Sequence, residues 1–271
     1  MSGESCFDFI DRPPRSAKPR KTGLTVCSDT GLSIADAKSL VEVGGRIIDH
    51  VKYVDHGGVL WNYPPEWVKE KNAYYRSVGI PTMPGGVPFQ VAAVQGKVPQ
   101  FMERVASLSY WGVEVSADTL ASLPLPDRSA SIRIGVEHGL VVFTELGRKF
   151  NDRPLDPNEA IDFAHKDIED GAHLVVVEKG DLVQIIREKK DTIHRIVEGV
   201  SAENLIFEPG PGDDVFENAK WLITEFGTET NLENLHPYTI LPIENMRHGL
   251  HRAVQHRYFD AFKNIPLPAI A

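Results

Sequence analysis

Cysteine is nearly missing from this chain of 271 residues. Cys6 and Cys27 cannot by themselves build a disulfide framework, so the fold must rest on a packed core, and a reducing, cytoplasmic setting is expected. Long apolar runs are missing too. Stretches such as 174–177 stop at four residues, where a membrane-spanning helix needs roughly 18. The opening MSGESCFDF lacks the basic start and apolar core of a signal peptide. There is no surplus of positive charge: 38 Asp and Glu against 29 Lys and Arg leave a net charge of −9. That balance disfavours generic contact with nucleic acid or an anionic membrane, and the expected partner is a small ligand whose charge is met locally. GxGxxG, Walker A and GxSxG patterns do not occur, which removes the usual warrants for a dinucleotide, a P-loop phosphate or a serine hydrolase.

What is present belongs to an ordinary folded protein, with 42% hydrophobic and 25% charged residues. Residues 1–22 hold Pro13, Pro14 and Pro19 among Arg12, Arg15, Lys18, Arg20 and Lys21, which predicts an extended lead-in. From 23 to 271 one unit repeats: a short β-branched or apolar run, a polar or glycine stop, then a helical pattern. Strands are predicted at 24–28, 50–54, 81–83, 112–116, 140–144, 174–177, 205–207 and 230–232. Their ends recur 23 to 33 residues apart. Segments such as PNEAIDFAHKDIEDGA and DDVFENAKWLITEF open on Asp, Asn or Pro and carry apolar residues every three or four positions, as amphipathic helices do. Eight βα units that must cover both faces of a parallel sheet predict a single-domain (β/α)₈ barrel over an open doubly wound sheet.

In such a barrel the strand C-termini line the active-site face. The predicted ends are polar: Asp29, Asp55, Asp118, Glu145, Glu178 and Glu208, with Asn231 at the eighth. Carboxylates crowded on one rim call for a cation. Glu145, Glu178 and Glu208 fall on three consecutive strands, and an all-oxygen set favours Mg²⁺, with Mn²⁺ as an alternative, over zinc. Lys52 inside the second strand, and Arg148 and Lys149 in TELGRK, supply positive charge; either lysine could donate a proton. The glycine stops MPGG, with Gly85 and Gly86, and EPGPG, with Gly210 and Gly212, offer backbone N–H groups to an anion. His56, after Asp55, is either a loop residue or a rim residue, while His248, His251 and His256 read as a basic exposed segment rather than a zinc site.

The fragments KPRKTGLTVCSDTGL, IIDHVKY, PGGVPFQ, GVEVS, TELGRK, IFEPGP, TNLENL and IENMRHGLH run in order from residue 18 to 252. Together they resemble the phosphosulfolactate synthase family, with the plant heat-stress-associated proteins as a related branch. The resemblance implies a (β/α)₈ barrel and Mg²⁺-dependent addition of sulfite to phosphoenolpyruvate, giving 2-phospho-3-sulfolactate for coenzyme M synthesis. It places Asp29, Lys52, Gly85, Gly86, Glu114, Ser116, Glu145, Lys149, Glu178, Glu208, Asn231, Glu244 and Arg247 at motif positions. The implied roles are Lys149, Lys52 and Asp29 in catalysis, and Glu145, Glu178 and Glu208 on the metal. Arg148, Arg247, Gly85, Gly86, Ser116, Gly210, Gly212 and Asn231 are implied to bind a small anionic phosphorylated substrate, and a homo-oligomer is the expected assembly. Three departures stand out: Thr30 replaces a lysine, Gln90 replaces a glutamate, and EKGDL at 178–182 replaces a basic, glycine-rich stretch. They leave two alternatives, a related metal-dependent enolate lyase with another nucleophile or acceptor, and a non-catalytic barrel acting through protein contacts.

Overall fold

A computed structural model describes residues 6–119, 125–147, 155–188, 190–210 and 212–265. Eight parallel strands form one sheet: β1 (Thr25–Asp29), β2 (His50–Tyr53), β3 (Thr82–Pro84), β4 (Gly112–Val115), β5 (Val141–Leu146), β6 (Ala172–Val177), β7 (Leu205–Phe207) and β8 (Leu232–Leu235). They are ordered β3-β2-β1-β8-β7-β6-β5-β4. The two ends of that order meet, with Trp111 N–H donating to the Thr82 carbonyl at 2.9 Å. Helices fill the connections, so the architecture is the single-domain (β/α)₈ barrel expected from the repeat.

Strand parity decides where each side chain goes, because successive residues point to opposite faces. Cys27, Val51, Val113, Val175, Val177 and Phe207 face outward and join the large core between sheet and helices. Their neighbours face the barrel axis, where Val26, Met83, Phe143, Val176 and Ile206 form a separate buried cluster with Leu24 and Leu174. Burying one such side chain is worth about 1.5–3 kcal/mol, so the two layers together hold the strands in register.

Local signals set the helix ends. Ser33 caps Ile34–Gly44 in a reciprocal box with Asp36, and Asp156 caps Pro157–Glu169 by accepting from the N–H groups of Asn158 and Glu159. Helix-to-strand turns at Gly79 and Gly139 both have φ of +74°, a left-handed conformation that glycine adopts without a Cβ clash.

Residues 11–22 carry neither helix nor strand and cross the N-terminal end of the barrel. Arg15 ion-pairs with Glu229 at 3.1 Å and Glu244 at 3.2 Å, and Arg20 with Asp49 at 3.2 Å. Lys18 donates to the carbonyls of Gly45 and Ile48. The extended lead-in is as expected, and its basic residues are spent on the barrel's lower rim. Cys6 and Cys27 are unpaired. Among the described residues no helix is long and apolar enough to cross a membrane.

The eighth strand requires a correction: it spans Leu232–Leu235 rather than 230–232. Leu232 and Leu235 supply its outward contacts to the core. The shift moves the strand end away from Asn231 and brings Glu233 and Asn234 to the axis side and the upper end.

Candidate functional site

Lys52 lies in β2, Glu114 in β4 and Glu233 in β8, strands that meet only across the barrel axis. Lys52 Nζ contacts the Glu114 carboxylate and sits 2.8 Å from Glu233 Oε1. Their side chains are 3% exposed or less, so water screens this triad poorly. Burial works against the lysine's charge, but Glu114, Glu233, Glu208 and Glu145 overcome it and hold the ammonium well above its usual pKa. Lys52 is therefore a permanent cation among carboxylates.

The carboxylates respond in the opposite sense. Burial, followed by repulsion from Glu114 and Asp118, raises Glu145 well above the usual range. Burial also pushes Glu208 and Glu233 up to about 7, against the attraction of Lys52. Glu145 Oε2 and Glu233 Oε2 are buried without a hydrogen-bond partner. Such a set of groups is under electrostatic load, as binding and catalytic sites commonly are.

Above the triad opens a cavity of ≈ 510 Å³, lined by Lys52, Glu114, Glu145, Glu178 and Glu208 with Lys179 and Asn234. Gly85, Gly86 and Val87 form part of its wall, at the start of the helix Gly86–Val94. Pro88 has no N–H, and no side chain caps this end, so the Gly86 and Val87 amides are the helix's unpaired donors. Only glycine fits at 86: a Cβ there would lie 1.8 Å from Ser116 Oγ and 2.4 Å from Glu114 Oε1. Gln90, on the same helix, donates to Ser116 Oγ at 3.1 Å and to Asp118, and accepts from Thr119 N–H. A glutamate at 90 would set two carboxylates against each other, which gives Gln90 a local reason.

The structure separates the residues singled out from sequence. Lys52, Gly85, Gly86, Glu145, Glu178 and Glu208 meet at the upper cavity, with Thr30 and His56 on its edge. Ser116 lies just behind Gly86. Three other readings need correction. Asp29 faces outward by parity and is spent on Lys71, 2.6 Å away, and on the Gly31 and Leu32 N–H groups, so it anchors a helix instead of meeting substrate. Asn231 bonds Leu24 N–H and the Leu205 carbonyl at the opposite, N-terminal end of the strands. Arg247, 1% exposed, donates to the carbonyls of Thr228, Thr230 and Leu24 at that same end. Gly210 backs onto Val215, and Gly212 faces Lys179 and Asp214, whose own ion pair is 3.0 Å. Arg148 and Lys149 lie outside the described residues.

Glu114, Glu233, Asn234 and Lys179 complete the site. Glu114 has a sequence signal, a charged residue inside an apolar strand, as Lys52 has. Glu233 is hidden by the displaced strand boundary.

The donor chemistry suits Mg²⁺: only oxygens, with Glu145 Oε2 buried and unpartnered. The expected three-glutamate set is not gathered, however, and among the described residues no three His, Cys, Asp or Glu side chains form a ready coordination group. Glu178 turns back to accept from Gly180 N–H, capping the helix Lys179–Glu188. A divalent ion would rest on one or two carboxylates, Glu145 and Glu208 first, and take its other ligands from water and substrate, as Mg²⁺ commonly does.

Comparison with known proteins finds relatives along most of the chain. The family model described as (2R)-phospho-3-sulfolactate synthase (ComA) matches residues 13–253. A phosphosulfolactate synthase of Methanothermobacter thermautotrophicus is 30% identical over 256 residues, covering 91% of this chain and 96% of that protein. One from Methanocaldococcus jannaschii is 29% identical over 238 residues, covering 84% and 92%. One from Bacillus subtilis is 25% identical, covering 90% and 96%. Among solved structures, DHDPS from Cyanidioschyzon merolae superposes with a TM-score of 0.56 at 15% identity, over 91% of this chain and 84% of that one, a likeness of fold alone.

Proposed function

The chain belongs to the phosphosulfolactate synthase family, and from that premise we propose that it adds sulfite to phosphoenolpyruvate in a Mg²⁺-dependent reaction, giving 2-phospho-3-sulfolactate. The observation that carries the reading is Lys52, a cation fixed among buried glutamates at the base of a cavity with a glycine-built anion cradle.

In the proposed reaction the sulfite lone pair forms a carbon–sulfur bond to the methylene carbon. The double-bond electrons move onto the adjacent carbon and its carboxylate as an enediolate, and a proton then closes that carbon while the phosphate ester stays intact. Held by Glu145 and Glu208, Mg²⁺ would stabilise charge on the substrate carboxylate. Lys52 faces the same developing charge. Because its ammonium is so strongly stabilised, its role is electrostatic, and proton delivery is assigned to Lys149 at its family motif position. The Gly86 and Val87 amides and Lys179 offer donors to phosphate or sulfite. Water is kept from the lower part of the site by the buried Met83, Phe143, Val176 and Ile206 layer.

The test is direct. Phosphorus and carbon NMR on the protein with phosphoenolpyruvate, sulfite and Mg²⁺ should show a new carbon–sulfur product with the ester retained. Phosphoenolpyruvate that binds without yielding this product would overturn the choice of nucleophile, and failure to bind it would overturn the substrate.

A further inference from the structure

β8 does not run straight into the site. Two steps along β1, from Thr25 to Cys27, lie against three along β8, from Leu232 to Leu235, so the last strand carries one residue more than its neighbour can pair. The extra residue makes a β-bulge, and Asn234 within it has φ of +52°, in the left-handed region. Strict alternation would send Leu232 and Leu235 to opposite faces, yet both join the outer core. The bulge therefore leaves two successive side chains for the inner side: Glu233, against Lys52, and Asn234, in the wall of the upper cavity.

We propose that Asn234 is a positioning residue, which the bulge aims at the Glu208 carboxylate to hold it toward the upper cavity. Such a role rests on the proposed reaction, in which Glu208 helps to hold Mg²⁺.

The Asn234 side-chain amide donates to Glu208. That contact settles which way the amide faces, because turned over it would set Oδ1 against a carboxylate. The backbone around this carboxylate is already fixed: Glu208 N–H donates to the Val177 carbonyl at 3.2 Å, and Asn218 donates to the Pro209 carbonyl at 2.9 Å. Rotation of the Glu208 side chain is what remains to be set. Glu114 and Glu233 are each held by Lys52, and Glu178 by the Gly180 N–H. Glu208 is held by the Asn234 amide.

The arrangement has a cost that turn-making alone does not require. Asn234 is 8% exposed, its Oδ1 is buried with no hydrogen-bond partner, and its backbone lies where side chains are disfavoured. Glycine would adopt this φ freely and bury no amide. An asparagine here is accounted for by what its Nδ2 reaches.

Crystal structures solved without metal, urea unfolding and Mg²⁺ calorimetry, all on the full chain, test this with Asn234→Gly and Asn234→Ala. Glycine keeps the left-handed bulge and removes the amide, while alanine removes the amide and also strains the bulge. Stability should follow the backbone, with the glycine variant close to the wild-type urea midpoint and the alanine variant below both. Metal affinity should follow the amide: both variants should bind Mg²⁺ about 10- to 100-fold more weakly, the usual effect of losing a group that orients a metal ligand. In the metal-free glycine variant the bulge should remain, and the Glu208 carboxylate should leave its place beside residue 234. Wild-type affinity in Asn234→Gly, affinity that falls only with alanine, or a Glu208 side chain that does not move would each overturn the proposal. Asn234→Gly decides alone if Asn234→Ala does not fold. A wild-type chain that binds no Mg²⁺ would count against the Mg²⁺-dependent reaction instead, and the place of Glu208 in Asn234→Gly would still decide whether Asn234 positions it.

Discussion

Lys52 Nζ lies 2.8 Å from Glu233 Oε1, joining residues 181 positions apart across the barrel axis. The pair is buried at both ends, and because Lys52 also contacts Glu114, removing the lysine strips the cation from two buried carboxylates at once.

Lys52→Met should therefore lose on two counts. Stability should fall by about 3 kcal/mol, the usual cost of breaking a buried pair. Turnover should fall about 10²-fold with the loss of a charge aimed at the enediolate. Urea unfolding and steady-state rates measure the two separately. Wild-type turnover in this variant would remove Lys52 from the reaction.

The buried glutamates make stability depend on pH in a stated direction. Glu208 and Glu233 rise from an ordinary 4.5 to about 7 in the fold, so the native state holds more protons than the unfolded chain between those values. Their contribution to stability is present below pH 4.5 and lost as pH rises through 7. The urea midpoint should decline across that window, and Glu233→Gln should flatten the decline. An unchanged slope in the variant would show that Glu233 titrates normally.

Calorimetry with Mg²⁺ distinguishes the acids at the upper cavity. Glu145→Gln should lose most of the affinity. Glu178→Gln should lose little, and should instead weaken the start of its helix by about 1 kcal/mol as a changed N-cap. The reverse pattern would return Glu178 to the metal.

Asp29→Asn should behave as a stability variant. Lys71, 0% exposed, would lose its counterion, costing about 3–5 kcal/mol by chemical unfolding. The folded fraction should keep its KM and kcat, and a selective drop in kcat would restore a catalytic role.

Gly86→Ala should impair both folding and turnover, because its Cβ meets Ser116 Oγ and Glu114 Oε1. Overpacking of this kind costs about 1–3 kcal/mol. Adding Ser116→Gly should recover part of the melting temperature, and a lack of recovery would place the clash elsewhere.

The barrel is legible in the sequence because its repeat rests on strong signals. Val-rich runs with polar ends recur at a βα spacing, and PNEAIDFAHKDIEDGA and DDVFENAKWLITEF open helices that the structure keeps, at Pro157 and Val215. The site is less legible for two physical reasons. A strand end identifies a position on the rim but not the side of the sheet, so Asp29 and Glu208 read alike although one faces helices and the other the axis. TNLENL lacks β-branched residues after its threonine, and the strand settles where Leu232 and Leu235 reach the core, which moves the site from Asn231 to Glu233. Arg247 shows the converse: a family motif position need not touch substrate, and here it ties three backbone carbonyls together.

Arg15 reaches residues 229 and 244 from position 15, and this has a bearing on how the protein is made. The arm is translated before the barrel, yet the two acidic partners of Arg15 lie 214 and 229 residues further along. Domain folding during synthesis proceeds from the N-terminus, so Arg15 must wait for both acids until the final βα unit emerges, although Lys18 and Arg20 find their partners at Gly45, Ile48 and Asp49 much earlier. Closure of the barrel floor thereby becomes a sign that translation of the whole ring is complete.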